Sequence, residues 1–200
     1  PARRFSPGVL SLSVDAAVAE RHASRATLTL ADVLPSARAR LKHLGLARTG
    51  AVDDAAANRL LDAMAAAPLP LASIELSGGS LPSGAVGELT ALLGTEASRE
   101  GLRSLSLAGN KASGLSRELP AQLTTLRALE HLDLAHCGLD CSRVLGALAA
   151  SPRLIDRLVT LILTGNKLDA LSADLLAQIG SKAPHLRALG LASTGMNSAM

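Results

Sequence analysis

Residues 158–168 read L-V-T-L-I-L-T-G-N-K-L, and their core, L-x-x-L-x-L, recurs along the chain. Successive copies begin 30, 31, 27, 29 and 28 residues apart. A nearly constant period of this length is typical of repeat architectures, in which each repeat is one strand-containing unit. The apolar positions of the six copies are Leu41, Leu44 and Leu46; Leu71, Ile74 and Leu76; Leu102, Leu105 and Leu107; Leu129, Leu132 and Leu134; Leu158, Leu161 and Leu163; Leu186, Leu189 and Leu191.

The residue three places after each core distinguishes this repeat from a simple strand pattern. It is Asn110, Cys137 or Asn166 in the three best copies, and Thr49, Gly79 or Thr194 in the others. The chain leaves the strand here, so inward-turned backbone groups need a side-chain amide or thiol as their hydrogen-bond partner. An apolar residue then follows two places later, as Ala112, Leu139 and Leu168 do in the best copies.

Between the strands the apolar period changes from two to that of a helix. Examples are Leu60, Leu61 and Met64; Val86, Leu89, Leu92 and Leu93; Leu145 and Leu148; Leu171, Leu175, Leu176 and Ile179. Repeats near 28 residues leave room for a full helix behind each strand. The sequence therefore predicts an α/β fold, a right-handed leucine-rich-repeat solenoid of the ribonuclease-inhibitor-like horseshoe type, with a parallel concave sheet and outer helices.

Residues 1–40 fit the repeat less well, and 41–200 hold about five repeats and a truncated last one. Residues 9–14 alternate like a strand, so Leu10 and Leu12 are expected to match Leu44 and Leu46, with a helix over Leu30 to Arg40. This is an atypical first repeat or, alternatively, an N-terminal flank that caps the first leucine layer. We interpret the whole as a single domain and a fragment of a larger protein.

The charge balance excludes an obvious nucleic-acid-binding surface. The net charge is only +3, and Phe5 is the one aromatic residue, so no aromatic side chains alternate with basic ones to stack on bases. Residues 1–50 carry eight Lys and Arg against three Asp and Glu, or +5, so the remainder sums to −2. This basic end is interpreted as a solvated face, with an acidic partner or an anionic membrane as the alternative.

The two cysteines, Cys137 and Cys141, are too few for the disulfide framework of a small secreted domain. The sequence shows no signal peptide and no apolar run long enough to span a bilayer. A cytoplasmic location is predicted, with any membrane association supplied only by flanking parts outside this chain.

No motif for catalysis or for a cofactor is present. Both G-N-K triplets fall at strand exits, and no phosphate loop, nucleophile elbow or H-E-x-x-H helix occurs. Four potential zinc ligands, His131, His136, Cys137 and Cys141, lie close together, but their spacing fits no zinc motif. We therefore predict a protein that is not an enzyme, with no cofactor, no metal and no nucleic acid.

Strand positions between the buried leucines face outward, and concave sheets of this kind are common binding surfaces. These positions carry mostly Ser, Ala, Gly and Thr, without the Trp, Tyr or Arg that dominate binding hot spots. The predicted partner-binding residues are His43, Glu75, His131 and Asp133, on a surface for one or more protein partners. A merely solvated inner face is the alternative, with binding at the ends or edges of the repeat array.

The order of repeat lengths and several local sequence segments resemble the CARMIL family of actin capping-protein regulators. The segments are I-E-L-S-G-G-S-L-P-S-G-A-V at 74–86, L-S-L-A-G-N-K at 105–111 in the 27-residue repeat, and L-D-L-A-H-C-G-L at 132–139. The resemblance implies a cytosolic scaffold of the actin cytoskeleton, with a membrane-associating domain before the repeats. It also implies a helical region after them that forms a homodimer, and a tail that binds capping protein. An unrelated binding module, such as a substrate receptor, a GTPase-regulator-like repeat or an effector, is the alternative.

Overall fold

The structure is a computed structural model that describes residues 10–15, 41–47, 54–66, 69–78, 81, 83–111 and 114–195. The expected helix over Leu30 to Arg40 lies outside these residues, as do Thr49, Gly79 and Ala112. All statements below concern the described part of the chain.

One parallel sheet runs through the molecule, and its seven strands are hydrogen-bonded in chain order. Each strand pairs only with the strands of the units before and after it, so leucine-rich repeats stack one upon the next. The strands are β1 (Leu10–Asp15), β2 (Leu41–Ala47), β3 (Ser73–Ser77), β4 (Ser104–Ser106), β5 (His131–Asp133), β6 (Thr160–Ile162) and β7 (Ala188–Gly190).

Helices fill the segments between the strands, as the apolar spacing predicts. They are α1 (Asp54–Ala66), α2 (Val86–Leu93), α3 (Glu96–Gly101), α4 (Leu115–Leu123), α5 (Cys141–Ala149), α6 (Pro152–Arg157) and α7 (Ala170–Lys182). A 3₁₀ turn at Ser83–Ala85 precedes α2. The helices α4, α5 and α7 pack side by side in successive units, so the architecture is a parallel sheet with a layer of helices.

The core lies between the sheet and the helices and is filled by aliphatic side chains. Leu105, Leu132 and Leu161 stand opposite one another in neighbouring strands, and each is fully buried. Stacked leucines fill such a core because each layer meets a nearly identical layer above and below it.

The expected apolar face of α7 is wrong at its first position. Leu176 and Ile179 are buried, but Leu171 is 57% exposed. The strand residue Leu189 is also 45% exposed, because β7 lies at the edge of the described sheet. A helical spacing identifies one face of a helix, but burial also needs a neighbouring layer.

The predicted alignment of the first strand is also wrong, by two residues. Residues 10–15 do form a strand that joins the sheet, but Leu12 pairs with Leu44 and Val14 with Leu46. Leu10 lies opposite Leu41, where the register shifts. A shift of two residues keeps the same side chains on the same face of the sheet.

The strand exits confirm the predicted role of the asparagines. Asn166 is buried, and its Oδ1 accepts hydrogen bonds from the backbone N–H groups of Cys137 and Leu139, both at 3.1 Å. Its Nδ2 donates to the carbonyls of Leu134, at 2.7 Å, and Leu163, at 3.0 Å. One side chain thus ties its own strand to the strand exit of the preceding unit.

Asn110 makes equivalent contacts two units earlier in the stack, and Cys137 takes the place of the amide in the unit between them. Asn110 accepts from the backbone N–H of Leu81 at 2.9 Å and donates to the carbonyls of Leu76 and Leu107. The Cys137 thiol donates to the same Leu107 carbonyl at 3.1 Å. These buried polar contacts hold the strand exits of successive units in line.

Candidate functional site

The outward side chains of β2 to β7 form a surface that we call the strand face. Strand pairing arranges them in two rows across the sheet. The first row is His43, Ser73, Ser104, His131, Thr160 and Ala188, and the second is Gly45, Glu75, Ser106, Asp133, Ile162 and Gly190. The leucines between these positions point into the core.

Three of the four predicted site residues lie close together. Glu75 and Asp133 belong to the same row and flank Ser106, so their strands are two spacings, or about 10 Å, apart. His131 lies two residues before Asp133 and on the same face of β5. His43 is separate, because it stands in the first row three strands from His131, about 14 Å away.

Hydrogen bonds within the strand face hold these side chains in place. Oδ1 of Asp133 accepts from the backbone N–H of Ala135 at 3.0 Å, and its Oδ2 lies 3.5 Å from the Ser106 hydroxyl. Nδ1 of His131 lies 3.1 Å from the Thr160 hydroxyl. One Asp133 oxygen is thus bound to the backbone, while the other makes only a long contact with the described residues.

The strand face is polar and mildly acidic. At the described outward positions of β2 to β7, Glu75 and Asp133 are the carboxylates, and no Lys or Arg occurs among them. Glu75 is exposed, and the hydroxyl of Ser77 donates to it at 3.2 Å. Short Ser, Thr, Ala and Gly side chains surround the two acids, so another chain can approach the sheet closely.

Ile162 is an apolar residue on this face that sequence reasoning placed outward but did not single out. It stands opposite Asp133 and is partly buried. A Cβ built on the neighbouring Gly190 would lie 3.0 Å from two Ile162 side-chain carbons, so the side chain covers that glycine. A β-branched residue beside a carboxylate offers an apolar contact next to a charged one.

The four suspected zinc ligands do not converge. His131 and His136 are exposed, whereas Cys137 and Cys141 are buried. Among the described residues, no group of three or more His, Cys, Asp and Glu is placed to hold a metal ion.

Both thiols are expected to be unreactive because they are buried. Burial raises the pKa of Cys137 from 9.0 to about 11, although backbone hydrogen bonds oppose the shift. Burial likewise raises the pKa of Cys141 to about 11, with a further contribution from the nearby Asp140 charge. Both thiols therefore keep their protons at neutral pH, and the thiolate is the form that attacks substrates or binds metals.

A second surface was not anticipated from the sequence. Arg99, Arg127 and Arg153 line one cleft at the edge where the strands begin. Arg99 lies in α3, Arg153 in α6, and Arg127 in the connection between α4 and β5. Arg99 and Arg127 are one repeat apart, and this periodic placement was the available signal. The residues predicted to bind a partner were all at strand positions, and binding at the edges of the array was an alternative without named residues.

No protein-family model matches the chain, and no curated protein does. Among solved structures, the chain is similar to human 5T4, also described as Wnt-activated inhibitory factor 1 or trophoblast glycoprotein, with 25% sequence identity and a TM-score of 0.47. The match covers 76% of this chain, which spans about half, 52%, of that structure.

Within the described residues, none of the helices combines the length and the apolar character needed to cross a membrane.

Proposed function

We propose that this chain is a non-catalytic protein-binding module, a right-handed leucine-rich-repeat solenoid of the ribonuclease-inhibitor type. The observation that carries the proposal is the continuous strand face. Its leucines are committed to the core, so the outward row is free to vary without loss of the fold. Function in such a protein is placed on the outward side chains.

The chemistry of the strand face suits a partner that brings cationic or N–H donor groups. Glu75 and Asp133 lie in one row with the small Ser106 between them, and no described outward position supplies a Lys or Arg to neutralise them. An arginine from a partner could reach both the Asp133 Oδ2 and the apolar side of Ile162. Charge-assisted contacts of this type give specificity and steer association.

The same geometry supports binding in preference to catalysis. Glu75 and Asp133 lie on an open sheet surface, where water is not excluded from a reacting group. The two thiols, which are the strongest nucleophiles in the sequence, are buried and protonated. A surface with this chemistry can hold a partner but has little means to activate a substrate.

We further propose that this chain is the repeat region of a CARMIL-like regulator of the actin cytoskeleton and that it is located in the cytoplasm. The sequence segments at 74–86, 105–111 and 132–139 support this proposal. The two unpaired, buried cysteines suit a reducing compartment. The alternative is an unrelated leucine-rich-repeat binding module. The reading frame on both sides of this chain separates the two: a basic, disordered tail would support the first, and an F-box would exclude it.

Affinity capture from cytosol, read by quantitative mass spectrometry, tests the strand face. We expect the double variant Glu75→Gln/Asp133→Asn to lose the captured partners by about tenfold or more, since it removes both carboxylates. The control Asp62→Asn/Glu96→Gln makes the same charge change at exposed helix positions and should capture them normally. Equal capture by all three proteins would refute the strand face as the binding surface.

A further inference from the structure

The cleft lined by Arg99, Arg127 and Arg153 is here called the rim cleft, and its volume is about 680 Å³. It lies along the edge of the stack where strands β4, β5 and β6 begin. Its walls are formed by parts of α3 and α6 and by the connections between helices and strands in three successive units. It is therefore distinct from the strand face and does not depend on the function proposed for that face.

The rim cleft carries excess positive charge. Arg127 pairs with Glu100, but Arg99 and Arg153 have no carboxylate within ion-pair distance among the described residues. No Asp or Glu lines the cleft itself. Two guanidinium groups therefore face it without a charge partner.

Arg99 also contains an unsatisfied donor. Its Nε is buried and has no hydrogen-bond partner within the described part of the chain. A buried N–H without an acceptor is costly, and in native proteins such groups usually find a partner. An acceptor arriving from outside would satisfy it, which favours an anionic ligand at this position.

The neighbouring cleft of about 510 Å³ shows the contrast. It is lined by Arg157, Arg187 and His185, but also by Glu130 and Asp156. Its cations are therefore balanced by carboxylates from the chain itself. The rim cleft lacks this balance, so it is the better site for a foreign anion.

The rest of the rim cleft narrows the class of ligand. Ala150 and Pro152 are exposed apolar residues of its lining, whereas Leu126 and Leu154 are buried below it. The lining hydroxyls of Thr124, Thr125 and Ser151 already donate to backbone carbonyls, so an anion must be held mainly by the arginines. A ligand that places an aliphatic group beside a carboxylate matches this combination.

The rim cleft is lined by residues of three successive units, and this arrangement suits an extended peptide. Arg99 and Arg153 belong to the units of β4 and β6, and Arg127 belongs to the unit between them. A recessed cleft admits such a segment better than a flat lipid surface, and it has no aromatic residue on which a base could stack.

We propose that the rim cleft binds an acidic segment of a partner protein, with carboxylates paired to Arg99 and Arg153 and an aliphatic side chain against the exposed Pro152. Arginine suits this role because its planar guanidinium donates two parallel hydrogen bonds to a carboxylate. Arg127 pairs with Glu100, so it contributes to the positive potential of the cleft but is not the primary contact of the ligand carboxylates.

Fluorescence anisotropy with a labelled peptide of alternating aspartate and leucine tests the proposal in the intact chain. We expect saturable binding that weakens by about tenfold or more in Arg99→Gln/Arg153→Gln, because two charge-assisted pairs are lost. Binding should also weaken as salt is raised. The control Arg117→Gln/Lys182→Gln removes the same charge from α4 and α7, away from the cleft, and should change the affinity by less than about threefold.

Further binding measurements distinguish an acidic peptide from other classes of ligand. A peptide with asparagine in place of aspartate should bind at least about tenfold more weakly, and the exposed single variant Arg153→Gln should reproduce part of the loss if the double variant is poorly folded. The proposal is overturned if wild-type protein does not bind the acidic peptide, or if both double variants weaken it equally. It is also overturned if phosphatidylserine vesicles or single-stranded DNA, but not the peptide, bind in an Arg99- and Arg153-dependent manner.

Discussion

Replacing Asn166 by alanine removes the side chain that connects two successive strand exits. Asn166 is 1% exposed and makes four hydrogen bonds to the backbone. The Leu163 carbonyl keeps a second bond, from the Asn166 backbone N–H. The N–H groups of Cys137 and Leu139 and the carbonyl of Leu134 have no other protein partner in the described structure.

Each buried polar group left without a partner costs about 1 to 3 kcal/mol. Three such groups would cost about 3 to 9 kcal/mol, and local relaxation or an entering water molecule lowers that sum. We therefore expect Asn166→Ala to reduce the free energy of unfolding by about 3 to 5 kcal/mol. This is a large fraction of the stability of a typical domain.

Two further substitutions, one at Asn166 and one at the equivalent Thr194, provide comparisons for this loss of unfolding free energy. Asn166→Cys should cost less than Asn166→Ala by about 1 kcal/mol or more, because Cys137 already shows that a thiol can donate to a carbonyl at an equivalent place. Thr194 makes a single side-chain bond there, to the Leu191 carbonyl at 2.8 Å. Its replacement by valine should cost only about 1 kcal/mol.

Urea denaturation followed by circular dichroism measures these differences in unfolding free energy, and hydrogen exchange reports where they act. The amides of Cys137 and Leu139 should lose protection in Asn166→Ala before the rest of the sheet does. If Asn166→Ala costs no more than Thr194→Val, or if those two amides keep their protection, the hydrogen bonds of the strand exits do not stabilise the stack as argued.

Two further predictions concern the core and the thiols. Leu163→Ala should lower the unfolding free energy by about 2 to 5 kcal/mol, whereas Leu171→Ala, at an exposed site, should change it by less than about 1 kcal/mol; similar values in urea titrations would contradict the assigned layers. The folded-state pKa values of Cys137 and Cys141 lie above the unfolded value, so the folded state binds more protons and stability should fall as pH rises from 9.0 to about 11. Replacing both cysteines by alanine should flatten that fall, and thiol modification at neutral pH should occur only after unfolding; rapid modification of the native protein would show that the thiols are accessible.

The leucine framework could be predicted from the sequence because burial repeats with the structural unit. Leu105, Leu132 and Leu161 are equivalent positions in consecutive units, and periodic layers make each one buried for the same reason. The first strand lacks this help. Its residues alternate with a period of two, so alignments that differ by two residues bury the same face, and only the neighbouring strand selects between them.

The strand face was accessible to prediction for a related reason. Once the repeats are aligned, equivalent positions fall in one row, so the common row of Glu75 and Asp133 follows from the leucine spacing alone. The separation of His43 follows from the same alignment, but its inclusion with His131 rested on residue type. A polar side chain on the correct face is therefore only a candidate until its row and strand are compared with those of the others.

The rim cleft shows what repeat alignment leaves out. Six arginines occur in α3 and α6 and in the connections before β4, β5 and β7, together with acids that could neutralise them: Arg99, Arg103, Arg127, Arg153, Arg157 and Arg187. Which cations remain unpaired depends on side-chain conformations: Arg103 reaches Glu130 and Arg127 reaches Glu100, each across one repeat. Arg99 and Arg153 then face one cleft whose described lining contains no acid to pair with them. A count of charges along the chain cancels these differences, whereas the three-dimensional pairing concentrates the excess at one site.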